Sequence, residues 1–511
     1  MKVARTLSVA LVGAEGEMVE IEADLSNQTP DFKIIGLPDK ALGEAVQRVH
    51  NACANSDLAL PRRRLTINLS PASLPKHGSG FDVAIAMVAV ATEIAMSTDS
   101  VASTVHLGEL GLDGRLRPVP GILPAVLAAA RAGHKRIVVP FANTQEAQLV
   151  EGVEVLGAVN LAQVASWHGA DVCVPDEDPI TLPAASDGAG ATEATPDLTD
   201  VVGQRDAVNA LIAAAAGGHH LLMCGPPGAG KTMLARRLPG ILPPLGDRAA
   251  LAVASIRSLS GTRIVALDRN APFESPHHSA SVAALVGGGS RSVRPGAIAR
   301  ATEGILFLDE AGEFQAAALD ALRQPLESGT ITINRAGSSA EFPAKFQLVL
   351  ATNPCPCGDY GIRGGNCTCP PAAIRRYLGR LSGPLLDRID IELTLARVSV
   401  AQRRSEVVAV STSEARLHVA DARARATQRL GDTPWRLNAD IPGSWLRDGP
   451  RSPSPTVRRP LDVALRKGAI TLRGFDRVLR LAWTLADLDG KAELGLDHIG
   501  RALFLKKGMA L

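Results

Sequence analysis

The sequence predicts an α/β protein of several domains, and three observations carry that expectation. At 511 residues the chain is too long for one ordinary core. Its first 168 residues alternate short apolar strands (LTINLSPA, KRIVVPF, VEVLGAV) with Ala-rich helical runs such as GILPAVLAAARAG. Further on, HLLMCGPPGAGKTMLARRL reads as a buried strand, a glycine-rich loop and a helix in direct succession. Hydrophobic residues make up 46% and aromatics only 3%, so the cores must be built from Ala, Val, Leu and Ile.

Composition excludes some classes. The formal net charge is +2, so contact with nucleic acid has to come from local arginines and not from a polycationic surface. The N-terminal run is too short for a secretory signal before Glu15 and Glu17 intervene. FDVAIAMVAVATEIAM is the most apolar helical stretch, but it carries Asp82 and Glu93 and is too short to span a bilayer. A soluble, cytoplasmic protein without a membrane partner is expected. Cys53, Cys173 and Cys224 stand alone in sequence, which fits buried thiols in a reducing compartment better than a disulfide framework.

Four segments follow from shifts in composition. Residues 1–168 form the first α/β domain, and 169–197 a linker containing PDEDPITLPAASDGAGATEATPD. Residues 198–395 form the second domain, and 396–511 an Arg-rich, largely helical part in which DGPRSPSPTVRRP reads as a loop or disordered insert.

The loop GPPGAGKT (Gly225, Pro226, Pro227, Gly228, Ala229, Gly230, Lys231, Thr232) fits the Walker A pattern at every required position. Its backbone N–H groups are suited to the phosphates of ATP, Lys231 to the β/γ-phosphates and Thr232 to Mg2+. GILFLDEAGEF ends an apolar strand in Asp309, placed to hold the magnesium ion, and Glu310, placed to polarise an attacking water. The next strand, FQLVLATNP, ends at Asn353, which is suited to orienting that water.

Together with SGPLLDRID around Arg388, these motifs resemble the AAA+ ATPases. The resemblance implies a P-loop module with a helical lid, working as a homo-oligomer that is usually a hexameric ring. Arg388 would then be the arginine finger that reaches a neighbour's γ-phosphate; the plain alternative is a surface ion pair with Asp387 or Asp390. ITLRGFDRVLRLAWTLADLDG resembles the sensor 2 lid helix of the magnesium-chelatase and replicative-helicase branch, with Arg473 in the sensor position and Arg477 and Arg480 as substitutes. PHHSASVAALVGGGSRSVRPGAIARATEG and ITINRAGSSAEFPAKF resemble that branch's two insertions, the second a β-hairpin facing the ring's pore. Arg335 lies near the hairpin tip, either as a DNA-backbone contact or as an exposed arginine without a ligand. His277 and His278 lack the spaced partners of a metal site and are expected to have a structural or interface role.

LPKHGSGFDVAIAMVAVA and GELGLDGRLRPVPGILPAVLAAARAGHKRIVVP resemble the Lon protease domain, a ribosomal S5 domain 2-like α/β fold. The nucleophile position falls on Gly80 and the general-base lysine position on Leu123, so this domain is expected to be catalytically dead, with Ser79 displaced by one residue. The arrangement of the whole chain resembles the YifB/ComM family of magnesium-chelatase-like AAA+ proteins. That resemblance implies a ring-forming motor on single-stranded or branched DNA, a translocase or branch-migration helicase in recombination or natural transformation. A metal-insertion ATPase subunit of the magnesium-chelatase type and a protein-remodelling ATPase without protease activity are the alternatives.

Cys355, Cys357, Cys367 and Cys369 remain. Two tight C-x-C knuckles joined by a Gly-rich loop favour tetrahedral Zn2+ over free thiols or redox sensing. Such a zinc knuckle would stiffen the loop leaving Asn353. Arg363, Arg375, Arg376 and Arg380 would make its surroundings basic, facing DNA or the adjoining subunit.

Overall fold

A computed structural model describes residues 3–36, 40–181, 196–289, 293–335, 338–362, 365–398 and 410–507; the side chains of residues 40, 41, 335, 338 and 507 are not among those described. Residues 182–195, about half of the interdomain linker, thus lie outside the described residues.

The N-terminal domain is built on a seven-stranded mixed sheet of β1 (Ala4–Val12), β2 (Glu15–Ser26), β3 (Asp31–Ile35), β4 (Arg64–Ser70), β5 (Val105–His106), β6 (Arg136–Pro140) and β7 (Glu154–Ala158). The order across the sheet is β3-β4-β2-β1-β5-β6-β7. Helix α1 (Asp82–Val90) has apolar residues all round, DVAIAMVAV, and all nine of its residues are buried. Its one charge, Asp82, is met by Arg48 at 2.7 Å. Burial pushes the Asp82 carboxyl up to about 6, against the pull of Arg48.

A buried polar chain ties the sheet to its flanking helices. Thr6 Oγ1 meets His106 Nδ1 at 2.8 Å, His106 Nε2 meets His168 Nε2 at 3.0 Å, and His168 Nδ1 meets Ser100 Oγ at 2.9 Å. Burial, with the neighbouring His168, pushes His106 down to about 3. Burial, with Arg136, pushes His168 down to about 4. The unfolded chain therefore binds more protons at these two sites once pH falls below their ordinary 6.5. Their contribution is whole above that pH and is lost on acidification, on the order of 2 kcal/mol per histidine by pH 5. The raised Asp82 works in the opposite sense and offsets part of it. Melting curves from pH 7.5 to 5 are expected to show a falling midpoint, and His106→Gln is expected to flatten that dependence.

The second domain holds a five-stranded sheet, β8 (Leu221–Cys224), β9 (Phe273–Glu274), β10 (Ile305–Leu308), β13 (Gln347–Thr352) and β14 (Ile391–Thr394), in the order β9-β10-β13-β8-β14. Every neighbouring pair is parallel. Between β10 and β13 stands the antiparallel hairpin of β11 (Thr330–Arg335) and β12 (Ser338–Pro343), in register from Thr330↔Pro343 to Arg335↔Ser338. Its foot is fixed by the buried side chains of Ile331, Ile333, Ala340 and Phe342.

Among the described residues, the two domains meet along a helix seam and at the hairpin. Helix α2 (Ile122–Arg131) follows Gly121, whose N–H donates to the Ser258 carbonyl at 3.2 Å, in helix α3 (Asp247–Leu259). Leu123, the position where the Lon resemblance would place the general-base lysine, is buried in an apolar cluster that includes Ala254 and Ile264 of the second domain. The β1–β2 turn reaches the hairpin, where Ala14 N–H donates to the Glu341 carbonyl at 3.1 Å. Gly13 has φ +66°, and a Cβ there would lie 2.1 Å from that carbonyl oxygen, so only glycine permits the approach.

The C-terminal part is helical. Helices α4 (Thr412–Arg429) and α6 (Leu472–Leu488) close over the helix Arg205–Gly217 that precedes β8 and share one apolar core with it. Arg429 and Asp487 form a buried ion pair at their junction, capped by Asn438. The segment DGPRSPSPTVRRP is only partly a loop, because helix α5 (Pro455–Arg466) begins inside it. Ser454 caps that helix by accepting the Val457 N–H, and Pro455 occupies the first turn, where proline is tolerated.

Candidate active site

Because the sheet is parallel, the C-terminal ends of its strands share one edge, the usual place for a ligand in such folds. The Walker A loop leaves β8, Asp309 and Glu310 leave β10, and Asn353 leaves β13. Lys231 Nζ donates to the carbonyls of Gly225 (2.6 Å) and Pro226 (3.0 Å) and to Asn353 Oδ1 (3.0 Å). Thr232 Oγ1 donates to Asp309 Oδ2 at 2.6 Å, so the two magnesium candidates already adjoin. Asp309 Oδ1 accepts the Glu310 N–H at 2.9 Å. Burial lowers the Lys231 pKa, opposed by Asp309, Cys224 and Glu310.

The loop has the shape a triphosphate needs. Gly228 and Gly230 have φ of +77° and +86°, and a Cβ on Gly228 would meet nothing within 4 Å, which leaves its face open. Hydroxyl and carboxylate oxygens are the donors a hard cation such as magnesium prefers, so the residues present fit ATP with Mg2+. Bound there, the ion would neutralise phosphate charge, while Lys231 and the loop N–H groups hold the phosphates in place.

Glu310 has a feature the sequence did not disclose. Its φ of +52° is left-handed, an uncommon state for a non-glycine residue, and its carboxylate lies 2.9 Å from His278 Nδ1. His278 sits four residues beyond β9, on the loop into the first insertion, with the His277 ring 4.1 Å away. His278, expected to have a structural or interface role, thus contacts the candidate water-polarising carboxylate, while His277 Nδ1 meets Ser279 Oγ at 2.8 Å. Its place just after a strand of this sheet was the available signal.

Arg388 and Arg473 are brought together, away from the chain's own Walker A loop. Arg388 precedes β14 and therefore stands at the opposite edge of the sheet. It lines a cleft of about 210 Å³ with Arg473, Arg477, Arg480, Glu327 and Asp476, among others, and no Walker A residue takes part. Arg388 is buried, pairs with Glu327, and has its pKa lowered by burial and then by Arg473, Arg323 and Arg477. Arg477 is committed to the buried Asp390 at 2.7 Å, and Arg480 to the Ile441 carbonyl. Arg473 is exposed. The four arginines outnumber the three carboxylates of the lining, Glu327, Asp387 and Asp476, so the cleft keeps a net positive charge toward an anion from outside the chain.

The four clustered cysteines are free thiols whose Sγ atoms all lie within 4.8 Å of one another. Cys355–Cys357, Cys355–Cys367 and Cys357–Cys367 are separated by 3.3, 3.8 and 3.7 Å, too far for disulfides. Arg375 and Arg376 nearby are exposed, whereas Arg380 is engaged by Glu313 and the Gly312 carbonyl. Arg363 lies outside the described residues, as does the Arg335 side chain, although the Arg335 backbone ends β11 beside the hairpin tip. At the Lon-like position Ser79 Oγ meets the Glu109 carboxylate, while the buried Lys76 ammonium is held by the Gly36, Leu69 and Pro71 carbonyls.

Fold and site together define a P-loop ATPase of the AAA+ type, with magnesium-chelatase-like insertions and a Lon-like domain ahead of it. Profiles for magnesium chelatase subunit ChlI match residues 21–143 and 197–403, and one for the ChlI C-terminal region matches 409–506. The competence protein ComM of Haemophilus influenzae is 39% identical, over 98% of this chain and 97% of its own. An uncharacterised protein of Mycobacterium tuberculosis is 47% identical over 99% of both. A peroxisomal Lon protease homologue of Caenorhabditis elegans is 31% identical over 27% of this chain and 18% of its own. The chain belongs to the magnesium-chelatase-like YifB/ComM family. Among the described residues, no helix is long and apolar enough to cross a membrane.

Proposed function

We propose that the protein is an ATP-hydrolysing motor on DNA, a translocase or branch-migration helicase of recombination or natural transformation, working in the cytoplasm as a ring, hexameric by family resemblance. The observation that carries the ring is the cleft holding Arg388 and Arg473, which cannot serve the chain's own nucleotide from the opposite sheet edge and needs a second copy's ATP to act on. Support for DNA comes from the hairpin inserted between the Walker B and sensor strands, with Arg335 beside its tip, and from a full-length relative that is a competence protein. Thr232 and Asp309 would hold the magnesium ion, Glu310 would polarise water and Asn353 would orient it. The Lon-like domain is read as a catalytically dead assembly element that grips α3 and the hairpin.

The hairpin also has a route to the carboxylate. A Cβ on Gly287 would lie 2.9 Å from Ile333 of β11, and Gly287 lies in the same insertion-like stretch as His278. DNA at the hairpin could thereby shift the His278–Glu310 contact.

ATPase rates without DNA and with single strands, plain duplex and branched junctions test this reading. Several-fold stimulation by single-stranded or branched DNA is expected, reduced by Arg335→Ala, and His278→Ala is expected to narrow the gap between basal and stimulated rates. If rings form and no DNA changes the rate, the DNA reading fails, and a protein or tetrapyrrole substrate takes its place.

A further inference from the structure

We propose that the four cysteines bind one zinc ion and that the loop it folds forms the outer wall of the nucleotide site, so that ATP affinity depends on the metal. This rests on the reading of residues 225–232 as the ATP loop. Four thiolates around one zinc at about 2.3 Å lie about 3.8 Å apart; the separations of 3.3, 3.8 and 3.7 Å are close to that arrangement. Cys355 is fully buried, whereas Cys357 is exposed, so the cluster has an inner and an outer side. The first knuckle is turned by Gly358 N–H donating to the Cys355 carbonyl at 3.0 Å. Tyr360 N–H then points at Cys355 Sγ from 3.3 Å, as backbone donors do around metal-bound thiolates.

The same knuckle rests on the Walker A loop. Gly358 has φ +87°, and a Cβ there would lie 2.5 Å from Pro227 Cδ, so its backbone is pressed against the proline ring. Arg397 joins the same two segments: its Nε donates to the Pro227 carbonyl at 3.4 Å and its guanidinium faces Asp359, the next knuckle residue, at 3.5 Å. Cys355 also follows Asn353 by two residues, and Asn353 accepts from Lys231. One cross-linked loop therefore touches the phosphate loop at Pro227 and leads directly from the group that meets Lys231. Among the described residues of 355–369, Cys355 is the one fully buried cysteine side chain of the four, so the metal would supply much of what holds this glycine-rich loop together.

The test uses the full chain and two readouts, zinc per chain by elemental analysis and affinity for a fluorescent ATP analogue. One zinc per chain is expected. Stripping it is expected to weaken nucleotide binding by about tenfold or more, with recovery when zinc is returned. Gly358→Ala, which keeps all four cysteines, is expected to retain the zinc and still bind nucleotide less tightly. Absence of zinc with four freely titrating thiols overturns the metal site. Unchanged nucleotide affinity in zinc-stripped protein, or in Gly358→Ala, overturns the wall. Failure of the zinc-loaded protein to bind nucleotide at all overturns the underlying ATP-loop reading instead.

Discussion

Glu310→Gln is expected to lower kcat for ATP hydrolysis by at least about a hundredfold and to leave ATP binding intact. The amide keeps the size and place of the carboxylate but cannot take up the proton of an attacking water. Lys231→Ala is expected to fail one step earlier. Lys231 is the buried ammonium at the centre of the loop, bonded to Gly225, Pro226 and Asn353, and its removal leaves the β/γ-phosphates without their counter-charge. Nucleotide titration separates the two variants: the first binds ATP and does not turn it over, the second binds weakly. Hydrolysis that survived Lys231→Ala would remove the basis for assigning phosphate chemistry to this loop.

Arg388→Ala is expected to cost about a thousandfold in hydrolysis, the scale of a lost arginine finger. A merely structural arginine predicts something different. Arg388 is buried and paired with Glu327, so its loss would then lower the melting midpoint while the folded fraction hydrolysed normally. Arg388→Lys sharpens the distinction, since lysine keeps the charge and loses the planar fork. Arg473→Ala is expected to act in the same direction with a smaller effect, because its side chain is exposed in the same cleft.

What the sequence disclosed and what it withheld divide along the range of the interactions. Local patterns were legible: the Walker A loop, the apolar strand before Asp309, the alternating strands of the N-terminal domain and the hairpin with its β-branched arms all lie where they were expected. The position of Arg473 was not legible. A lid helix suggests an arginine over the chain's own nucleotide, but parallel strand order puts Arg388 and its neighbours at the other edge of the sheet, which no local pattern reveals. The His278–Glu310 contact joins residues 32 positions apart through the pairing of β9 with β10. Leu123 was read as a missing base, and the structure adds the reason an apolar residue suits it, the seam against α3. The α5 helix was hidden by prolines, although Ser454–Pro455 is itself a helix-start signal.

The central claim is that each nucleotide site is completed by a second copy of the chain. Mixing Glu310→Gln with Arg388→Ala protein in equal amounts tests it most directly, because each is expected to be inactive alone. A site is whole only where an Arg388→Ala subunit, which keeps Glu310, faces a Glu310→Gln subunit, which keeps Arg388. Random mixing makes that pairing at one interface in four, so the account expects recovery to about a quarter of the wild-type rate. Mixed rings that stay inactive, or Arg388→Ala protein that hydrolyses ATP normally by itself, would contradict it.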